Sequence, residues 1–194
     1  MSPKAVFFAA AAVVLLALDQ VTKVWVRANV EMRQEITIIS DFLAITHAKN
    51  KGAAFSALDD FEYRLQVFYL FTAVAVVVIV QGWRQLPDKD RLQAFAMGAI
   101  LSGAVGNLID RIMAGEVTDM IKVYAGFEPL RSWAISKLGT NTYPIFNVAD
   151  AAIVVGVGIF ALVYIKGWDK VETPAATPAP PVPPAPPESN ATAD

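Results

Sequence analysis

Four long runs of apolar residues dominate the chain, with shorter polar stretches between them. Each run is close to the roughly 20 residues that an α-helix needs to cross the hydrocarbon core of a bilayer. The runs cover residues 5–26, 65–80, 92–113 and 145–165. This pattern predicts an all-α integral membrane protein with four transmembrane helices within residues 1–170.

The first run has the general shape of a secretory signal peptide, because Lys4 precedes a long apolar stretch. No small-x-small cleavage site follows it, and Asp19, Gln20 and Lys23 interrupt its far end. We therefore predict that this segment is retained as a membrane helix.

The connection between the first two runs, about residues 31–64, is too long for a simple loop. Residues 36–39 and 42–46 are β-prone runs, and the turn-like pair Ser40-Asp41 separates them. We predict a small extracytoplasmic β-sheet or hairpin here. The stretch N-K-G-A-A-F follows at 50–55, where Gly52 permits a tight backbone turn.

Two further segments flank the last run. At about 124–140 apolar residues recur at roughly helical spacing with Arg131 and Lys137 among them, which predicts an amphipathic helix on the membrane surface. At the other end, residues 171–194 are mostly proline, alanine and small polar residues. Such a composition cannot form a core, so we predict a disordered, proline-rich cytoplasmic tail.

Positive charges give the orientation of the helices, since short cytoplasmic loops are enriched in lysine and arginine. The basic residues of the short connections and of the chain ends fall on one side of the membrane if both termini are cytoplasmic. The basic residues on the other side lie in longer loops, whose charges have less influence on topology. We therefore predict an N-in, C-in topology. The residues on the cytoplasmic side would be Lys4, Arg84, Lys89, Arg91, Lys166 and Lys170.

The amino-acid composition excludes several classes of binding partner, metal site and catalytic mechanism. The formal net charge of −2 offers no basic surplus for nucleic acid. The absence of cysteine excludes disulfides, thiolate metal sites and a cysteine nucleophile, and the single histidine, His47, excludes a two-histidine zinc motif. No Gly-x-Ser-x-Gly is present for a serine hydrolase.

The third run carries two features of its own. Gly98, Ser102 and Gly106 recur every four residues, as in a small-residue stripe for close helix packing in lipid. Asn107 and Arg111 stand one turn apart, so both side chains project from one face. Polar groups in an apolar run are costly unless they face protein or water.

With the predicted topology, the polar groups embedded in the apolar runs lie at the same depth, near the outer surface. Ionisable residues within a membrane are by default candidates for a functional site. Without a thiol, a histidine pair or a placed serine, the natural chemistry is a carboxylate pair that shares one proton. We select Asp119 and Asp150. The converging residues are Asp19, Lys23, Asn50, Asn107, Arg111, Asp119, Asn147 and Asp150.

Four stretches of this chain resemble the bacterial lipoprotein signal peptidase family, signal peptidase II. They are D-Q-x-x-K at 19–23, N-K-G-A-A-F at 50–55, G-N-L-I-D-R-I-M-A-G-E-V-T-D at 106–119 and F-N-V-A-D at 146–150. The resemblance implies a membrane aspartyl endopeptidase that cuts prolipoproteins just before a cysteine carrying diacylglycerol. It also implies that no metal or cofactor is needed and that globomycin inhibits the enzyme.

The resemblance assigns roles residue by residue. Asp119 and Asp150 would be the catalytic pair. The remaining matched positions would structure the site or bind substrate: Asp19, Lys23, Asn50, Gly52, Asn107, Arg111, Asn147 and Ala149. The sheet and surface helix would form a cradle and lid. The implied partners are diacylglyceryl prolipoproteins and membrane lipid, and we expect a monomer in the bacterial cytoplasmic (inner) membrane with its active site near the periplasmic face.

Some positions depart from the family pattern, and other functions are open. Met120 stands where phenylalanine is usual, Ser102 where glycine is common, and the segment between Asp119 and Asp150 is longer by roughly one surface helix. One alternative is a small transporter or proton relay through Asp19, Asp110 and Asp150. The other is a structural helix bundle in which Asn107 and Arg111 join helices.

Overall fold

A computed structural model describes residues 1–52 and 63–166. This part of the chain is mostly helical and includes a small three-stranded sheet. The helices are α1 (Pro3–Asn29), α2 (Arg64–Gln85), α3 (Arg91–Ala114), α4 (Leu130–Leu138) and α5 (Val148–Lys166). The strands are β1 (Glu35–Ile39), β2 (Leu43–Asn50) and β3 (Val117–Val123).

Four of the helices, α1, α2, α3 and α5, are long and apolar enough to cross a membrane. Three of the predicted runs lie inside α1, α2 and α3. The fourth was predicted to begin at 145, but α5 begins at Val148, because the backbone of Phe146 pairs with Ile121 instead. Residues 53–62 of the predicted external segment and the proline-rich tail at 171–194 lie outside the described residues.

Small residues let the backbones of α1 and α5 approach α3. A Cβ added to Gly98 would collide with the carbonyl oxygen of Phe8 in α1, and one added to Gly106 would lie 2.5 Å from the Oδ2 atom of Asp19. A Cβ on Gly103 would collide with the carbonyl oxygen of Ala149 in α5. The predicted role of the glycines in close packing is confirmed, and Gly103 extends it to a second neighbour.

The two ends of the bundle differ. At one end, Lys4 of α1 donates to the carbonyl oxygen of Leu86 and lies 3.5 Å from Asp88, in the connection between α2 and α3. The rings of Phe8 and Trp83 stack nearby at 5.0 Å between centroids. The N-terminus and this connection therefore share one end of the bundle, and the sheet lies at the other end.

The sheet has the order β1-β2-β3, with both pairs antiparallel. The β1–β2 hairpin confirms the prediction from the two β-prone runs. The third strand, β3, was not predicted. Gly115 ends α3 in the left-handed conformation (φ 74°), and its N–H donates to the carbonyl of Arg111. The chain then turns into β3, where Asp119 pairs with Ala48 of β2.

The segment predicted as a surface helix at 124–140 is helical only at α4. Tyr124 and Ala125 extend the sheet instead: Tyr124 bridges to Thr142, and the N–H of Ala125 donates to the carbonyl of Asn141 at 2.8 Å. Helix α4 lines an apolar groove of about 540 Å³ together with Phe42 and Val123. Its position on a membrane surface stays a prediction.

Candidate active site

Asp119 lies in the middle of β3, with only 2% of its surface exposed. Two asparagine side chains satisfy its carboxylate. Asn147 donates to Oδ1 at 2.7 Å, and Asn50, at the end of β2, donates to Oδ2 at 2.9 Å. Strand pairing and these two amides thus fix the carboxylate in one orientation.

Asp150 is half-buried in the first turn of α5. The side chain of Asn147 accepts from the Asp150 N–H at 2.9 Å, and Asp150 Oδ2 accepts from the Asn147 N–H at 3.3 Å. This reciprocal pair is a capping box, which satisfies amides that the helix start leaves open. The sequence F-N-V-A-D therefore begins the helix and places Asp150 at the same time. Asn147 serves both purposes, since it also holds Asp119.

Asn107 completes a bridge between the two aspartates. Its Nδ2 donates to Asp150 Oδ1 at 2.7 Å, and its Oδ1 accepts from Asn147 Nδ2 at 3.1 Å. Hydrogen bonds therefore run from Asp119 through Asn147 and Asn107 to Asp150. The side chains come from β3, from α3 and from α5 with the residue that precedes it, so the site forms only when these elements pack.

A buried ionic cluster supports this bridge. Lys23 of α1 lies 2.9 Å from Asp19 and 3.1 Å from Asp110, and all three side chains are almost fully buried. Lys23 also donates to Asn107 Oδ1 at 3.1 Å. The other oxygen of Asp19 accepts from the Ala149 N–H at 2.9 Å, at the start of α5. Asp19, Lys23 and Ala149 thus act on the packing and orientation of the site.

Sequence reasoning missed Arg27 and Thr118, which belong to this cluster, and assigned Asp110 only to a proton relay. Arg27 lies 3.3 Å from Asp110 and donates to the hydroxyl of Thr118 at 3.1 Å. Asp110 also accepts from the Thr118 N–H at 3.0 Å, which ties α3 to β3. The spacing of Asp19, Lys23 and Arg27 at one helical turn was an available signal.

Arg111 and Gly52 contact residues that hold the aspartate pair. Arg111 donates to the carbonyl oxygen of Asn107 at 3.3 Å, and its guanidinium lies 4.2 Å from the centroid of the Phe68 ring. The N–H of Gly52 donates to Asn50 Oδ1 at 2.7 Å, which orients the amide that holds Asp119.

Burial raises the pKa of Asp119 from 3.8 to about 6. The hydrogen bond from Asn50 acts against this rise, and the charge of Asp150 adds to it. The two carboxyl groups are therefore close enough to interact electrostatically. A carboxyl with a pKa near 6 exchanges protons readily near neutral pH, as general acid–base catalysis requires.

The raised pKa of Asp119 predicts a pH-dependent contribution to stability. Between pH 4 and 6 the folded chain binds more protons at this residue than the unfolded chain, so this contribution falls as pH rises and is constant above about 6. The loss amounts to at most about 3 kcal/mol. Asp119→Asn removes this pH dependence. The midpoint of thermal unfolding of the variant should therefore rise relative to that of wild type as pH rises from 4 to 6. A difference that stays constant across this range would contradict the prediction.

Comparison with known proteins identifies the family of this chain. The family model described as "Signal peptidase (SPase) II" matches residues 11–166. The lipoprotein signal peptidases of Geobacter metallireducens and Geobacter sulfurreducens are 42% and 43% identical to this chain. Each match covers 86% of this chain, and 94% and 96% of the relatives.

The fold is also similar to a solved one. A structure described as a bacterial membrane enzyme, obtained by the in meso method, aligns with a TM-score of 0.69 at 26% identity. The alignment covers 82% of this chain and 92% of that one. Because the family model and these relatives span most of its length, the chain belongs to the signal peptidase II family.

Proposed function

We propose that this protein is an aspartyl endopeptidase that removes signal peptides from prolipoproteins by cutting just before the diacylglyceryl-modified cysteine. Family membership makes it a multi-pass membrane protease, and relatives over 40% identical are named lipoprotein signal peptidases. The observation that carries the proposal is the Asp119–Asp150 pair, bridged by two asparagines where the helix bundle meets the sheet.

The reaction needs one proton shared between the two carboxyl groups. The ionised carboxylate takes a proton from a water molecule, whose oxygen attacks the scissile carbonyl carbon. The protonated carboxyl donates to the carbonyl oxygen, and collapse of the tetrahedral intermediate then breaks the C–N bond as the amine leaves with a proton. Because the pair titrates as a unit, acid and base are not assigned separately to Asp119 and Asp150.

The surrounding residues keep the pair in place during these proton transfers. Asn107 and Asn147 donate to the carboxylates, and Asn50 fixes the second oxygen of Asp119. Arg111 supplies positive charge beside two carboxylates that cannot both ionise freely at close range. A substrate anchored in the bilayer by its lipid arrives already tethered, so much of the catalytic gain comes from positioning.

The position of the site in the membrane follows from the same proposal. Both termini are cytoplasmic, and the sheet with its aspartate pair lies at the periplasmic face of the bacterial inner membrane. Helix α4 exposes Leu130, Trp133 and Leu138, which suits contact with the lipid interface. The partners of the enzyme are diacylglyceryl prolipoproteins and membrane lipid. Globomycin inhibits the enzyme, which acts as a monomer.

A proton relay through the helices is not supported. Asp19 and Asp110, which it requires, are both paired with Lys23 at the sheet end of the bundle. Between Lys4 and Asp19, α1 carries no charged side chain. A relay needs ionisable groups through the depth of the membrane, so these aspartates serve the local cluster.

The test is cleavage of a purified diacylglyceryl prolipoprotein by the purified protein in detergent. Mass spectrometry of the products should show a new N-terminus at the lipidated cysteine, and a matched precursor without the lipid should be cut far more slowly. Addition of globomycin should abolish cleavage. A folded protein that leaves the lipidated precursor intact would refute the proposed function.

A further inference from the structure

Phe68, in the second turn of α2, touches both sides of the active site although it is not among the sequence-predicted site residues. Its ring lies next to the buried Gly52 and next to the guanidinium of Arg111. An aromatic residue in an apolar run normally faces lipid or core. Here its neighbours are Gly52 and Arg111, whose hydrogen bonds lead to Asp119 and to Asp150.

The first contact leads to Asp119. A Cβ added to Gly52 would lie 2.8 Å from Phe68 Cζ, so the ring fills the space that a side chain at position 52 would need, and the Gly52 backbone has a φ of 110°. The N–H of Gly52 donates to Asn50 Oδ1, and Asn50 Nδ2 donates to Asp119. The Phe68 ring thus supports the loop that orients the Asp119 carboxylate.

The second contact leads to Asp150. The guanidinium carbon of Arg111 lies 4.2 Å from the Phe68 centroid, within the range of a cation–π interaction. Arg111 donates to the carbonyl of Asn107, whose side chain donates to Asp150. The hydroxyl of Tyr69, next in α2, donates to the carbonyl of Arg111 at 3.3 Å. The start of α2 therefore holds Arg111 at two points.

We propose that Phe68 is a positioning residue that keeps the Asn50–Gly52 loop and Arg111 in register, and so aligns the two aspartates. This inference rests on the proposed function. The ring contacts the groups that hold the carboxylates and acts through them. Its loss should therefore slow the chemical step more than it weakens substrate binding.

The test compares variants that keep or lose the ring face. Phe68→Leu and Phe68→Met keep an apolar side chain but lose the cation–π contact. Each should lower kcat about tenfold, which corresponds to about 1.4 kcal/mol in the activation free energy, with KM within about twofold. Phe68→Tyr keeps the ring and should retain most of the wild-type kcat. Phe71→Leu is the matched control, since Phe71 lies on the same helix with 68% of its surface exposed, and it should leave kcat unchanged.

A second measurement separates this inference from the proposed function, because it needs no activity. Thermal unfolding of Phe68→Leu, Arg111→Met and the double variant forms a cycle. The double variant should shift the midpoint by less than the sum of the single shifts. Additive shifts, or a Phe68→Tyr variant as slow as Phe68→Leu, would overturn the positioning role. A wild-type protein that does not cleave, with non-additive unfolding shifts, would refute the proposed function and leave the Phe68–Arg111 coupling intact.

Discussion

Asp119→Asn and Asp150→Asn should each lower kcat for prolipoprotein cleavage by about 10²- to 10⁴-fold, the range expected when a general acid or base is removed. Asparagine has almost the same shape as aspartate, and its carbonyl oxygen can still accept one of the two hydrogen bonds that each carboxylate receives. It cannot take a proton from water or donate a carboxyl proton. The loss should therefore appear in kcat while the protein stays folded.

Asp41→Asn is the matched control. Asp41 is an exposed aspartate in the β1–β2 turn of the same sheet, with a φ of 60° that asparagine also tolerates. It should retain wild-type kcat. The Asp119→Asn/Asp150→Asn double variant should be about as slow as either single variant, because the pair acts as one unit. Substantial cleavage by both single variants would show that the aspartates are structural.

The parts of the molecule that the sequence predicts best depend on local pattern. The long apolar runs indicate the four helices through length and hydropathy alone, and the β-prone runs indicate the hairpin. The eight converging polar residues could be brought together because alternate helices reverse direction, so their polar ends share a depth. The structure joins Asp119, Asn147, Asn107 and Asp150 by hydrogen bonds, as that reasoning requires.

The parts that sequence reasoning missed depend on partners distant in the chain. Strand β3 follows a helix directly and is held as a strand by pairing with β2, about 70 residues earlier, and with Phe146. In the sequence, Asp110 was a candidate group of a proton relay, but in the folded chain it pairs with Lys23 and Arg27 of α1. Phe68 cannot be told from a lipid-facing phenylalanine by its neighbours in the run. In each case the deciding contact is tertiary, and local pattern does not encode it.

Lys23→Met should lower the free energy of unfolding by about 3–5 kcal/mol, the usual cost of removing one partner from a buried ion pair. Methionine fills the volume of the lysine stem but leaves Asp19 without a cation and Asp110 with Arg27 alone. Asn107 also loses one of the two donors to its Oδ1 atom, and Asn147 remains as the other. Thermal unfolding in detergent should show a lowered midpoint, and kcat should fall because Asn107 orients Asp150.

Restoring charge balance tests whether the cost comes from the unpaired carboxylate. With Asp19, Lys23, Asp110 and Arg27 charged, the cluster is neutral, and Lys23→Met leaves it with one excess negative charge. The Lys23→Met/Asp19→Asn double variant is neutral again, and asparagine at 19 can still accept from the Ala149 N–H. The double variant should therefore unfold at a higher temperature than Lys23→Met alone. If it unfolds lower instead, the cost of Lys23→Met arises from packing or lost hydrogen bonds, and the ionic cluster is not what holds α1 against the site.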